Sequence, residues 1–324
     1  MKKIILFILF ISIISQLYSK VHVVGNLHYI HGAKYRSVQS AIEAADEGDT
    51  IYVRSSPINY GNIIIDKQLV LIGEGLGGKN ISGKTTKLTR VTLGHNPMLK
   101  TSASGTKIIG FEFAYFPSGT PNIITTSVWG GGLNDIEIRN NWIWYLELHG
   151  NTSGWKFINN VILETLSNTG NTKEHLFSNN FLNDINGIEV SNFNHNFIAG
   201  SLMNNTSLLL QNNILTNEKP IDEGNRNITS RNNFLRYNPK GIYLQEVDMI
   251  NNIISNTTEW IGPFPEYDFI GGNALKLKTG SKLLNAGYDG EDIGIFGGGY
   301  KFPVEIFIKI IDENSMKSFW EILN

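Results

Sequence analysis

The feature that most constrains the fold of this chain is a short motif, two asparagines followed by two apolar residues, that returns at a nearly constant interval. Its copies begin at Asn140, Asn159, Asn179, His195 (with one substitution), Asn212, Asn232 and Asn251. Counted from the second asparagine, the successive spacings are 19, 20, 16, 17, 20 and 19 residues. A period of this size indicates one structural unit stacked on copies of itself.

Alignment of the copies on the second asparagine separates positions that face the interior from positions that do not. The residue two positions later is apolar in every copy: Ile143, Ile162, Leu182, Ile198, Leu215, Leu235 and Ile254. Such a column predicts side chains that face the interior of the stack. Asparagine tolerates the left-handed backbone of a sharp corner, and stacked amides hydrogen-bond from coil to coil. The repeat therefore predicts a β-solenoid with asparagines as corner and ladder residues.

Residues 1–19 are predicted to be a secretory signal peptide. Lys2 and Lys3 precede an apolar run from Ile4 to Ile14, and a short polar stretch ends at Ser19. This apolar run is too short to span a bilayer, which takes about 20 residues. The chain has no cysteine, so disulfides and a lipoprotein anchor are excluded. We expect a secreted, periplasmic or cell-surface protein without a transmembrane segment in its mature chain.

Residues 20–299 are predicted to form one β-helix domain, in which the coils at 133–256 carry the Asn-Asn motif. Near its start, 35–45 reads as an amphipathic helix with Ser37 as N-cap and Gly48 as its stop. Short apolar strands bounded by turn residues follow. A solenoid leaves unpaired strand edges at its ends, so the apolar residues 300–324 are predicted to be a C-terminal cap or docking tail.

These features resemble the secreted right-handed parallel β-helix proteins of the pectin-lyase-like superfamily. Residues 37–51 look like the capping helix and first strand of that family, and the Asn-Asn coils look like its repeats. Residues 280–287, with 292–294 after them, are similar to the segment that often closes such helices. The resemblance implies an all-β, right-handed parallel β-helix with an N-terminal capping helix. One departure is the Pro-Gly pair that usually follows the first strand, because 55–60 contains no glycine.

The resemblance also raises the question of catalysis. Parallel β-helix enzymes of this kind mostly act on acidic polysaccharides. Their lyases hold Ca²⁺ with clustered carboxylates and use Arg or Lys as the base, whereas their hydrolases pair Asp residues from neighbouring coils. This chain has neither an Asp-Asp pair nor a Gly-His-Gly sequence. That absence weighs against hydrolysis, and less against a lyase, whose residues are scattered over the coils.

One pair of carboxylates is a candidate catalytic and metal site. Four positions after the second asparagine, adjacent coils carry Glu164 and Asp184. If the register holds, these side chains stack about 5 Å apart, one strand spacing. Two such carboxylates shift each other's pKa or share a cation such as Ca²⁺, although the sequence requires no cofactor. Glu147 approaches the same surface from the preceding coil. The alternative is that the carboxylates project into solvent on loops of different length.

A cluster of aromatic residues is the candidate ligand-binding surface. Trp129, Trp144 and Tyr145 lie in one short window, and Trp144 belongs to a column of mixed polarity that indicates an outward face. Exposed aromatic rings beside polar groups stack on sugar rings. Trp142, in contrast, belongs to an all-apolar column and is predicted to be a packing residue. The alternative for the outward rings is a lid over the edge of a coil.

Glu147 and His149 form a further candidate, since strand alternation places them on one face. A carboxylate beside an imidazole could act as an acid/base pair or a weak metal site. The alternative is a surface contact without chemistry.

Two functional hypotheses follow. The first is a non-enzymatic β-helix that binds a polysaccharide or a surface protein along its solenoid face. The second is a polysaccharide lyase that acts on acidic glycans, with Glu164 and Asp184 near Ca²⁺. A nucleic-acid partner is not expected, because the formal charge of −2 offers no basic footprint.

Overall fold

The structure is a computed structural model. It describes residues 19–27, 32–74, 86–96, 101–115, 120–125, 132–222, 224–238, 246–259 and 275–300. The predicted signal peptide, apart from Ser19, and the predicted C-terminal tail, apart from Tyr300, therefore lie outside the described residues, as does Trp129.

Two long parallel sheets form the body of the molecule, and strands from successive coils pair within each sheet. The first sheet has eleven described strands: Val21–Val24, Thr50–Val53, Val70–Ile72, Lys107–Ile109, Glu137–Arg139, Lys156–Ile158, Leu176–Ser178, Asn192–Asn194, Leu209–Gln211, Ile228–Arg231 and Val247–Ile250. The second has fourteen: Asn62–Ile65, Lys87–Leu88, Arg90–Leu93, Glu112–Phe113, Ile123–Thr125, Trp142–Ile143, Leu146–Leu148, Val161–Asn168, Phe181–Asn186, Phe197–Ile198, Leu202–Met203, Ile214–Leu215, Phe234–Leu235 and Ile253–Ile254.

Smaller sheets complete the coils. Leu133–Asn134, Thr152–Ser153 and Thr172–Lys173 form a third parallel sheet, and His95–Asn96 pairs with Thr101–Ser102 in an antiparallel hairpin. The architecture is an all-β parallel solenoid and matches the right-handed parallel β-helix class, the hand that parallel crossovers favour. The predicted fold class is confirmed.

One described helix, Val38–Ala44, covers the N-terminal end of the core. Ser37 is its N-cap as predicted, and the Ser37 side chain accepts a hydrogen bond from the Ser40 N–H at 3.3 Å. The helix ends earlier than predicted, because Ala45 adopts an extended conformation. Gly48 lies in the turn that follows. Val38, Ala41 and Ile42 pack into the core, so the helix shields the edge of the first coils.

The interior of the solenoid is apolar and stacked in columns. Six of the seven residues of the predicted interior column, from Ile143 to Leu235, are fully buried in the main core cluster, which confirms the column for those coils. Ile254, in the last described coil, is 47% exposed, so the prediction is wrong for that residue. Beside it, Phe157, Phe177 and Phe193 form an aromatic stack with ring centroids 4.5 and 4.3 Å apart. Each coil thus buries the same positions against its neighbours, as a solenoid requires.

The two asparagines of each motif have different structural roles. The first is at the corner: φ lies between 49° and 57° at the six asparagines and is 54° at His195. The second forms the ladder. The Asn196 Oδ1 atom accepts hydrogen bonds from the Asn180 N–H and Nδ2, and Asn196 Nδ2 donates to the Phe177 carbonyl. The ladder runs through Asn141, Asn160, Asn180, Asn196, Asn213, Asn233 and Asn252. Both predicted roles are confirmed.

Residues 275–300, here called the C-terminal strap, lie along the side of the solenoid. The strap begins beside the last coils, where the Asn232 amide donates to the Ala286 carbonyl, and runs back to Asn179, whose amide donates to the Ile295 carbonyl at 2.9 Å. It covers an outward-facing apolar column: Trp142, Val161, Phe181, Phe197, Ile214 and Phe234. The predicted packing role of Trp142 is confirmed, although the residue packs outside the main core.

Among the described residues, no helix has the length and apolar character needed to cross a membrane.

Candidate functional site

The predicted ligand-binding residues Trp144 and Tyr145 lie at the corner between the strands Trp142–Ile143 and Leu146–Leu148 of the second sheet. Asn122, in the coil before them, fixes this corner. Its Oδ1 accepts hydrogen bonds from the Trp144 and Tyr145 N–H groups at 3.0 and 3.1 Å, and its Nδ2 donates to the Thr89 and Ala114 carbonyls. Because Asn122 is fully buried, the backbone that carries the two aromatic residues is held by interior contacts.

Trp144 forms an aromatic pair with a residue that the sequence did not identify. The rings of Tyr115 and Trp144 are 4.7 Å apart between centroids and tilted by 59°. Tyr115 is 52% exposed and Trp144 is half-buried, so the pair faces solvent. Tyr145 lies beside them, with its hydroxyl 3.0 Å from the Ser167 hydroxyl. Tyr115, Trp144 and Tyr145 together are called the aromatic ridge.

Tyr115 was not predicted from the sequence, because its coil precedes the first Asn-Asn copy and was therefore not included in the column alignment. A weaker signal existed. Phe113 is an interior residue of the second sheet, as is Ile143 one coil later. Extending the interior column backward by one coil would have placed Ala114 and Tyr115 at the same outward corner as Trp144 and Tyr145.

The predicted stacking of Glu164 on Asp184 is wrong. The strands pair in the expected register at Val161 with Phe181 and Ile162 with Leu182, but the register then shifts. Thr165, not Glu164, is opposite Asp184. The coil of Glu164 contains one more residue at this corner than the coil of Asp184, so Leu163 and Glu164 together are opposite the single residue Asn183.

Asp184 has the same structural role as Asn122. Its Oδ1 accepts a hydrogen bond from the Ser201 N–H in the next coil at 2.8 Å, so the carboxylate caps a corner of the backbone. The Glu164 N–H, in turn, donates to the Trp144 carbonyl at 2.8 Å. No group of three potential metal-ligating side chains was found in the described part of the chain. The metal role predicted for Glu164 and Asp184 therefore has no third protein ligand there.

Glu147 and His149 lie on one face, as predicted. Glu147 Oε1 is 3.3 Å from His149 Nε2, and the opposite ring nitrogen, Nδ1, makes a short hydrogen bond with the Thr169 hydroxyl of the next coil. The imidazole is thus held between a carboxylate and a hydroxyl. Such an arrangement orients the ring and fixes which nitrogen carries the proton.

The surface beside the aromatic ridge carries negative charge. Glu147, Glu164 and Asp184 all lie on this side of the coils, and within the described residues their one ion pair is that of Glu147 with His149. Their other neighbours across the strands are uncharged, since Ser167 is opposite Glu147 and Thr165 is opposite Asp184. The geometry combines stacking rings with hydroxyl and carboxylate acceptors.

Comparison with known proteins adds little to this picture. No family model matches the chain, and no curated protein matches it. Two structures of QnrB1, a plasmid-mediated fluoroquinolone resistance protein, are similar to it. A trypsin-treated variant has 9% identity and a TM-score of 0.33, and the full-length form has 11% identity and a TM-score of 0.20. Each alignment covers 74% of this chain and 92% of QnrB1. A likeness this slight carries no argument about fold or function.

Proposed function

We propose that this protein is a non-enzymatic β-helix that binds glycan chains at the aromatic ridge. The observation that carries the proposal is the solvent-facing pair of Tyr115 and Trp144 on a corner fixed by Asn122. Aromatic faces bury the apolar C–H faces of sugar rings, while nearby polar groups take the hydroxyls. The Tyr145 hydroxyl and the Glu147 carboxylate are the polar groups beside these rings. The predicted signal peptide supports an extracytoplasmic location for this binding.

The charge around the ridge favours neutral glycans. Glu147, Glu164 and Asp184 would repel the carboxylates of a uronate polymer, and like charges brought together cost free energy. A neutral polymer avoids this cost and gains hydrogen bonds from its hydroxyls to the same carboxylates. We therefore expect that added salt leaves the binding of a neutral glycan almost unchanged.

Affinity gel electrophoresis tests the proposal with a panel of neutral and acidic polysaccharides. At least one neutral polymer should retard the protein, and Trp144→Ala should weaken that binding about tenfold, the equivalent of about 1.5 kcal/mol for a lost stacking contact. Tyr288→Ala is the matched control, because Tyr288 is a 64% exposed aromatic residue on the C-terminal strap. Equal binding by wild type and Trp144→Ala, or retardation by acidic polymers alone, would reject the proposal.

A polysaccharide lyase is the second candidate, and the hydrogen-bonded Glu147, His149 and Thr169 favour it, since an oriented imidazole can take a proton. Lyase cleavage of a uronate polymer forms an unsaturated product that absorbs ultraviolet light. No new absorbance on polygalacturonate and alginate, with and without Ca²⁺, would eliminate this candidate. If no polysaccharide binds at all, the ridge is better explained as a contact surface for a protein partner.

A further inference from the structure

The strongest unassigned feature is the way His195 holds the C-terminal strap. His195 replaces a corner asparagine, keeps the left-handed backbone of that position, and is 2% exposed. The strap passes directly over its ring at two glycines. A Cβ atom on Gly297 would lie 2.6 Å from His195 Nδ1, and one on Gly298 would lie 2.5 Å from His195 Cδ2. The glycines therefore permit a contact that no other residue type would allow.

Both ring nitrogens of His195 face hydrogen-bond acceptors on the strap. Nδ1 is 2.9 Å from the Asp292 carbonyl oxygen, and Nε2 is 2.8 Å from Asp289 Oδ2. A carbonyl oxygen can only accept, and so can an ionised carboxylate. A neutral imidazole has a single N–H and could satisfy one of these two contacts. The imidazolium form satisfies both.

The contacts of Asn212 do not remove the need for a proton on both ring nitrogens of His195. Its Oδ1 accepts a hydrogen bond from the Tyr288 N–H at 2.7 Å, which fixes the orientation of the amide. The amide Nδ2 is consequently the atom directed at Asp289 Oδ1, at 3.2 Å. Nδ2 also lies 3.1 Å from His195 Nε2. A neutral ring could accept from Nδ2, but its Nε2 lone pair would then remain against the Asp289 carboxylate.

We propose that the C-terminal strap is a pH-sensitive latch that closes over the outer apolar column when His195 is protonated. A neutral ring has a lone pair against one acceptor, either the Asp289 carboxylate 2.8 Å from Nε2 or the Asp292 carbonyl oxygen 2.9 Å from Nδ1, and the resulting repulsion releases the strap. The strap covers Phe181, Phe197 and Phe234. Opening the latch exposes these rings, so a change in pH controls access to an apolar face of the solenoid.

The other charged groups near the ring do not replace this contact. The Asp292 carboxylate accepts from the Asn285 N–H at 2.9 Å. The Arg231 guanidinium packs over the Tyr288 ring at 4.6 Å, and Glu291 is exposed. Burial raises the pKa of Asp289, but the hydrogen bond and charge of His195, together with backbone N–H donors, outweigh burial and hold this pKa below its usual range. Asp289 is therefore held as a carboxylate, which can only accept hydrogen bonds.

Hydrogen exchange of residues 285–298, measured from about pH 6 to about pH 9 and corrected for the intrinsic rate, tests the latch. In the wild type, strap protection should fall at least about tenfold as pH rises, a change of about 1.4 kcal/mol. In parallel, ¹⁵N spectra of the closed form should reveal protons on both ring nitrogens of His195. A closed strap with one unprotonated ring nitrogen would overturn the proposal.

Two variants sharpen the test. Asp289→Asn should reverse the pH dependence, because an amide Nδ2 in place of Oδ2 can donate to a neutral imidazole but not to an imidazolium. His195→Asn restores the residue used at the other corners, including the left-handed backbone, and should remove the pH dependence. The proposal is rejected if strap protection in Asp289→Asn changes with pH in the same direction as in the wild type. It is also rejected if strap protection in His195→Asn depends on pH as steeply as in the wild type.

Discussion

At the scale of single residues, the asparagine ladder shows how a polar side chain stabilises a solenoid core. The ladder amides from Asn141 to Asn233 are buried and hydrogen-bond to backbone groups of neighbouring coils. Asn196 is fully buried and accepts from the Asn180 N–H at 2.9 Å while donating to the Phe177 carbonyl at 2.9 Å. Removing such a side chain takes these hydrogen bonds from the Asn180 N–H and the Phe177 carbonyl, and a buried group left unsatisfied costs about 1–3 kcal/mol.

The first prediction concerns this ladder. Asn196→Ala should lower the free energy of unfolding by about 3 kcal/mol, measured by urea denaturation. Asn192→Ala is the matched control, because Asn192 is an exposed asparagine on the adjacent strand. The control should change stability by less than about 0.5 kcal/mol. Equal effects of the two substitutions would mean that the ladder amides contribute nothing specific.

The second residue-scale prediction concerns pH. Burial lowers the pKa of His175 from 6.5 to about 4. Between these values the unfolded chain binds a proton that the folded chain does not, so the free energy of unfolding falls as pH decreases from about 6.5 to about 4. The titration of His175 lowers the free energy of unfolding by at most about 3 kcal/mol.

A variant separates His175 from the other groups that titrate in acid. The backbone N–H of Trp155 donates to His175 Nδ1 at 3.1 Å. In His175→Asn, the amide oxygen can occupy the position of Nδ1 and keep this bond. Denaturation curves at several pH values should therefore show a flatter slope for His175→Asn. An unchanged slope would mean that His175 is not the source of the dependence.

At the scale of elements, the sequence predicted the strands and their stacking better than their register. The interior column of Ile143, Ile162 and Leu182 and the capping helix were predicted because their patterns are local and repeated. The cross-strand partner of Glu164 was predicted wrongly. An alignment on the asparagines alone does not show where in the coil the extra residue lies. Register beyond an aligned anchor depends on tertiary pairing, which a single sequence does not contain.

The packing of the C-terminal strap is a second feature of this scale that the sequence did not predict. Its glycines and polar residues predict turns, and nothing local predicts that Asn179 contacts Ile295 across 116 residues. The outer apolar column was visible in the sequence as the column of Trp142, but an apolar column does not reveal which segment covers it. The role of a residue such as Gly297 becomes clear only when the strap is seen against His195.

The strap carries the element-scale prediction. Gly297→Ala places a Cβ 1.8 Å from the Asp292 carbonyl oxygen, so the strap cannot pack against the solenoid in its observed conformation. We expect faster proteolysis within residues 285–300, while circular dichroism of the β-helix stays near that of the wild type. Gly299→Ala is the matched control, because a Cβ there meets nothing within 4 Å. Similar proteolysis of both variants would show that the close approach at Gly297 does not hold the strap.

At the scale of the whole molecule, the repeated positions account for the scaffold, and the candidate binding surface is formed by positions whose residue type varies from coil to coil. The Asn-Asn motif forms the corners and the ladder, and the interior columns fill the core. Trp144 belongs to a column of mixed polarity, Glu164 lies at a shift in register, and Tyr115 precedes the first motif. The candidate site was predicted only in part, since a column alignment identifies outward positions but not the neighbours that complete a surface.

Hydrogen exchange with a bound neutral oligosaccharide tests the proposed binding surface most directly. The oligosaccharide is taken from a polymer that retards the protein in gels. Bound ligand should slow exchange in residues 112–115 and 142–149, which carry the aromatic ridge, and leave the coils at 212–215 and 232–235 unchanged. Protection in those later coils without protection of the ridge, or no protection at a saturating concentration, would contradict the assignment of glycan binding to Tyr115, Trp144 and Tyr145.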